Sequence, residues 1–157
     1  MLTISAIKAD IGSVGGHTRP SARMMGAAQA QLGKAIDEGL LIDFNLTHTG
    51  DDICLLMIHS HGDGNAEIHD LAWSIFTQVT EVAKEDGLYG AGQDLLKDAP
   101  SGNVRGAGPG VAEITFDPFA QERQAEPFLV FTADKCGPGA FNFPLWAVFT
   151  SPLYCAG

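Results

Sequence analysis

Positive charge is scarce in this chain: nine Lys and Arg stand against nineteen Asp and Glu, for a formal net charge of −10. A nucleic-acid partner is excluded on that ground, because phosphate backbones are held by clustered Lys and Arg. The surplus acid serves either as a solubilising surface or as carboxylates that gather cations. Cysteine is also sparse. Cys54, Cys136 and Cys155 are odd in number and lack CxxC or Cys/His zinc spacing, so neither a disulfide framework nor a zinc site is expected. A reduced, cytoplasmic setting follows, with Cys54 as a small core residue. "MLTISAIKAD" has neither the basic start nor the long apolar run of a secretory leader. Residues 136–157 contain no Asp, Glu, Lys, Arg or His, yet their prolines and glycines exclude a membrane helix. Such an apolar tail should pack on its own core, on another subunit or on further sequence.

What is present reads as one domain over residues 1–157, with 45% hydrophobic residues to build a core. Leu2, Ile4 and Ala6 alternate with Thr3 and Ser5, a strand pattern running into Asp10. Pro20 suits the first turn of a helix in which Met25, Ala28, Leu32 and Ile36 recur at helical spacing before Gly39. A hairpin follows. Leu40, Ile42, Phe44 and Leu46 form one apolar face, "GDD" makes the turn, and Ile53–Ile58 is a continuous apolar strand covered on both faces. Residues 65–86 form the clearest helix, capped by Asn65, striped by Ile68, Leu71, Ala72, Ile75, Phe76, Val79, Val82 and Ala83, and ended by Gly87. The seven glycines of residues 87–110 mark a functional loop. Strands are predicted at Val111–Phe116 and Phe128–Ala133. This order gives an α/β (α+β) sandwich, with a mixed or antiparallel sheet and helices packed outside it.

Asp10, Asp51, Asp52 and Asp134 each lie where a predicted strand ends or turns. Strand ends that meet at one sheet edge would bring all four together, and clustered carboxylates repel unless a cation neutralises them. Mg²⁺ takes oxygen ligands of this kind, and paired ions can clamp a phosphoryl transfer. Each Asp also has a plain alternative as an Asx-turn or cap residue. His17 is read equally as a solvated turn residue, and Lys135 as a solvated strand end. The pair His59 and His61 has no assigned acidic partner and stays unassigned. "GSVGG" lacks the terminal Gly-Lys-Ser/Thr of a Walker loop, so a nucleotide cradle is excluded. "SGNVRGAGPG" offers backbone amides to an anion or is a flexible loop. Tyr89 reaches a polar ligand or packs in the core.

Taken in order, "IKADIGSVGGH", "THTGDD", "GLYGAGQDLL", "SGNVRGAGPGVAE" and "ADKCGPGAFNFPL" resemble the archaeal-type bifunctional fructose-1,6-bisphosphate aldolase/phosphatases, the class V fructose-1,6-bisphosphatases. The resemblance runs from about residue 3 to residue 150. It implies that Asp10 is a metal ligand and the proton acceptor of the phosphatase step, and that His17 touches metal and substrate phosphate. Asp51, Asp52 and Gln93 would complete magnesium sites, with Asp52 bridging two ions and Asp134 serving the second. Tyr89, Gly102, Asn103 and Lys135 would hold the sugar bisphosphate. The implied fold is a four-layer α-β-β-α sandwich within a homo-oligomer. Family members are longer, and their second half carries the Schiff-base lysine. The chain therefore resembles an N-terminal half, and aldolase activity is not expected of it alone. Two readings follow: a Mg²⁺-dependent phosphatase acting on fructose 1,6-bisphosphate, and a truncated, non-catalytic metal- and phosphate-binding module that oligomerises.

Overall fold

The computed structural model describes residues 1–15, 18–95, 108–116 and 129–134. His17, Gly102, Asn103, Lys135 and the apolar tail lie outside the described residues. The elements in chain order are β1 (Leu2–Asp10), α1 (Ala22–Asp37), β2 (Asp43–Thr49), β3 (Asp52–His59), α2 (Ala66–Glu85), a short 3-10 turn (Gln93–Leu95) and β4 (Gly110–Phe116). The four strands form one sheet in the order β2-β3-β1-β4. Every pairing among the described residues is antiparallel, so of the two predicted sheet types the described sheet is the antiparallel one and not the mixed one. No helix among the described residues is long and apolar enough to cross a membrane.

The pairing register sorts side chains between two faces, because successive residues of a strand point to opposite sides. Ile7 and Ala9 of β1, Ile53, Leu55 and Met57 of β3, and Phe44 and Leu46 of β2 share the face on which the helices pack. Against them α1 buries Met24, Ala28, Leu32 and Ala35, and α2 buries Ile68, Ala72, Ile75, Phe76, Val79 and Ala83. The buried stripe of α1 is therefore turned slightly from the predicted one: Met25 and Ile36 are only partly buried. Cys54 is buried on the opposite face, as expected of a small core residue, and burial pushes its thiol pKa up.

Local signals explain most boundaries. Asn65 Oδ1 accepts the Glu67 and Ile68 N–H groups, as its capping role requires. The cap of α1 is Ser21, whose Oγ accepts the Met24 N–H at 3.2 Å, so Pro20 precedes the helix instead of entering it. Leu40–Ile42 do not continue β2. Leu41 is buried while Ile42 is exposed, the reverse of the alternation predicted there. Residues 129–134 carry no strand: Leu129 and Phe131 are exposed, and the segment meets β2 through a hydroxyl contact between Thr132 and Thr49.

Candidate metal centre

Asp10 ends β1 and stands opposite Asp52, the first residue of β3. Thr49 pairs with Asp52 on the other side, so Gly50 and Asp51 alone make the β2–β3 turn. Three acids thereby reach one corner of the sheet through register alone. One oxygen from each of Asp10, Asp51 and Asp52 lies within 4.8 Å of the other two, and all three residues are buried. Asp134 joins them from the segment that follows β4 in the chain. Its Oδ2 accepts the Asp51 N–H at 3.4 Å, and it too is buried. The structure thus brings together the four aspartates singled out in the sequence. It does so partly because residue 50 is Gly: its φ is +59°, and an added Cβ would stand 1.9 Å from Asp134 Oδ2.

Such a cluster is costly without a counter-charge. Lys8 supplies part of one through an ion pair with Asp52. Lys8 and Asp10 lie two apart on one strand face, a signal that the alternation of "IKAD" carries. Burial, then the charge of Asp52, then hydrogen bonding and charge from Asp51 raise the Asp134 pKa to about 6. Asp52 Oδ1 and Asp134 Oδ1 are buried and accept no hydrogen bond among the described residues. Buried acceptors in that state cost free energy that a cation recovers. The donors are all carboxylate oxygens, the set that suits a hard divalent cation. The residues therefore fit a metal, with Asp10, Asp51 and Asp52 as the group that could hold it and Asp134 beside them.

A second segment closes on this corner. Gly92 N–H donates to the Ile11 carbonyl at 3.0 Å, and Ser13 and Tyr89 exchange main-chain bonds of 2.8 and 3.2 Å. A Cβ on Gly90 would stand 3.1 Å from Gln93 Oε1 and 4.0 Å from Asp10 Oδ1, so both oxygens approach one point. Gln93 Oε1 and Asp10 Oδ1 thus both lie near Gly90. Tyr89 is 58% exposed, which removes the core-packing alternative for its ring. Asp94, not singled out beforehand, accepts the Asp10 N–H on Oδ2 at 2.8 Å. It follows Gln93 in the quoted "GAGQD" block, yet only the fold reveals which strand it meets.

The histidine pair left unassigned finds its acid elsewhere. His59 Nε2 and Ser5 Oγ are 2.8 Å apart, and Ser5 Oγ donates to Glu113 Oε1 at 2.6 Å. His69 Nε2 lies 3.1 Å from the same oxygen, and Gly64 N–H donates to Glu113 Oε2 at 2.7 Å. Because the Ser5 proton goes to Glu113, His59 donates from Nε2, which leaves Nδ1 to accept the His61 N–H at 3.2 Å. Burial, then the neighbouring His61, lowers the His59 pKa. Burial works to raise that of Glu113, but the Ser5 hydroxyl, the Gly64 N–H and His69 together bring it down. This network ties β4 and α2 to the central strands away from the aspartates, and its polar groups already have partners.

An all-oxygen carboxylate corner at the end of an antiparallel sheet is a candidate divalent-cation centre, a class of site used on phosphate esters. Comparison with known proteins narrows the class. The fructose-1,6-bisphosphatase family matches residues 1–157, and the chain belongs to that family. The fructose-1,6-bisphosphate aldolase/phosphatase of Thermus thermophilus is 52% identical over 156 residues, covering 99% of this chain and 42% of that protein. Proteins of the same name from Cenarchaeum symbiosum (50% identical) and Thermococcus kodakarensis (51%) also match over 99% of this chain and 40% of their own length. The chain thus spans about 40% of these relatives.

Proposed function

We propose that this chain carries the phosphatase half of a fructose-1,6-bisphosphate aldolase/phosphatase, a Mg²⁺-dependent site that hydrolyses fructose 1,6-bisphosphate to fructose 6-phosphate. The observation that carries the reading is the buried convergence of Asp10, Asp51 and Asp52, with Asp134 beside them. Bound magnesium would offset the charge spread over the transferring phosphoryl group. The chain's own residues supply the rest. Asp10 accepts a proton from the attacking water, whose oxygen bonds to phosphorus as the phosphorus–sugar oxygen bond breaks, and the leaving sugar oxygen is protonated. Asp52, Gln93 and His17 would help to hold magnesium there, and Tyr89, Gly102, Asn103 and Lys135 would hold the sugar bisphosphate. The finer expectations belong to the same reading: a second sheet on the outer face, where Ile4, Ala6, Leu56 and Ile58 point, a homo-oligomer, and a cytoplasmic setting. Aldol chemistry is assigned to the part of the relatives that this chain does not match.

A second reading is a metal- and phosphate-binding module without turnover. Phosphate release from fructose 1,6-bisphosphate separates the two. With Mg²⁺ the purified chain should release phosphate, and Asp10→Asn should slow it by about 10²–10⁴-fold, the usual worth of a general base. Magnesium-dependent binding of the bisphosphate with no release above that variant supports the module instead.

A further inference from the structure

We infer that Asp94 is a positioning residue of the metal centre: it fixes the end of β1, and with it the Asp10 carboxylate, to the turn that presents Gln93. The inference rests on reading the aspartate corner as a divalent-cation site. Asp94 Oδ2 accepts the main-chain N–H of Asp10 at 2.8 Å. The other bonds described between these segments, Gly92 to Ile11 and the Ser13–Tyr89 exchange, are main-chain to main-chain and lie beyond the strand end. Asp94 contributes a side-chain bond, and it grips a residue whose carboxylate belongs to the acid cluster.

The turn holding Asp94 is itself firmly seated. A Cβ on Gly92 would stand 2.9 Å from Thr80 Cγ2, so the loop lies directly on α2. Gly90 then leaves the narrow gap across which Gln93 Oε1 and Asp10 Oδ1 approach. Two segments far apart in sequence each bring an oxygen to one point, and their spacing depends on what joins them. A charged acceptor makes that joint stronger than a neutral one. Groups that orient ligands are commonly worth about 10–100-fold in metal affinity.

Calorimetric titration with Mg²⁺ and with Mn²⁺ tests the role on the full chain and three variants, with cation-free thermal melts alongside. Asp94→Ala should bind either cation about 10–100-fold more weakly. Asp94→Asn keeps a carbonyl oxygen for the Asp10 N–H and should recover most of the affinity. Asp94→Gln carries the same amide one methylene farther out and should behave like the Ala variant, so the series stands even where Ala fails to fold. Unchanged affinity in both the Ala and Gln variants overturns the positioning role alone. An Asn variant as weak as Ala also overturns it, since Asp94 would then act through its charge. No cation uptake by the wild-type chain overturns the metal-centre reading, and the role of Asp94 with it.

Discussion

Replacing Gly50 by Ala should damage this protein in two separable ways. The residue has φ +59°, and a left-handed L-residue costs about 1–2 kcal/mol. Gly39, with φ +77° and nothing within 4 Å of a built Cβ, isolates that backbone cost. At Gly50 the added methyl would lie 1.9 Å from Asp134 Oδ2, 2.9 Å from its Cγ and 3.1 Å from its Cβ, well inside van der Waals contact. The carboxylate must leave its place against Asp51, and overpacking of this kind adds about 1–3 kcal/mol. Gly39→Ala should therefore lose about 1–2 kcal/mol and Gly50→Ala about 2–5 kcal/mol. Urea denaturation measures both, and melting temperature should fall by about 2–4 °C for each kcal/mol. Repeating the melts with Mg²⁺ reads the site: Gly39→Ala keeps the cation-induced rise and Gly50→Ala loses most of it. Equal losses in the two variants, with the cation response intact in both, would refute the packing of Asp134 on this turn.

Two further outcomes follow from the core and the polar network. Phe76→Ala empties a fully buried position of α2 and should cost about 3–5 kcal/mol in urea denaturation, with no change in cation affinity if the corner folds as described. Stability should also fall in acid. The fold lowers the His59 pKa, so stability present above its ordinary value near 6.5 is lost as the pH drops below it. Glu113, also lowered, holds its contribution above about 4.5 and gives it up as the carboxylate is protonated at lower pH. Urea midpoints from pH 8 to pH 4 check this, and Glu113→Gln should flatten the lower limb; a profile unchanged by that substitution contradicts the network.

Much of this fold could be read from local chemistry. Asn65 and Gly87 bracket α2 because one accepts free N–H groups and the other takes a left-handed φ of +63°. The aspartates converge because turn chemistry puts Asp51 and Asp52 at one end of β3 and strand alternation delivers Asp10 to β1's end. In α1, Ala28 and Leu32 are buried as their spacing requires, while Met24 and Ala35 take the places of Met25 and Ile36, since Met24 and Met25 are equally apolar and only packing chooses between them. The pattern of Phe128–Ala133 reads as a strand because it is apolar, yet residues 129–134 carry none, since strand formation depends on a partner as well as on composition. Lys8 with Asp52, Asp94 with Asp10, and Ser5 with Glu113 are 44, 84 and 108 residues apart, and no local pattern encodes such meetings. The motif blocks named the family where spacing alone left each Asp with a plainer alternative.

The most direct test of the central claim is calorimetric titration of the chain with Mg²⁺, alone and as Asp52→Asn. Saturable uptake is expected of the wild-type chain, and its loss, or a weakening of at least about 10-fold, in the variant. A chain that takes up no cation, or a variant that binds as well as wild type, would contradict the assignment of this corner as a metal centre.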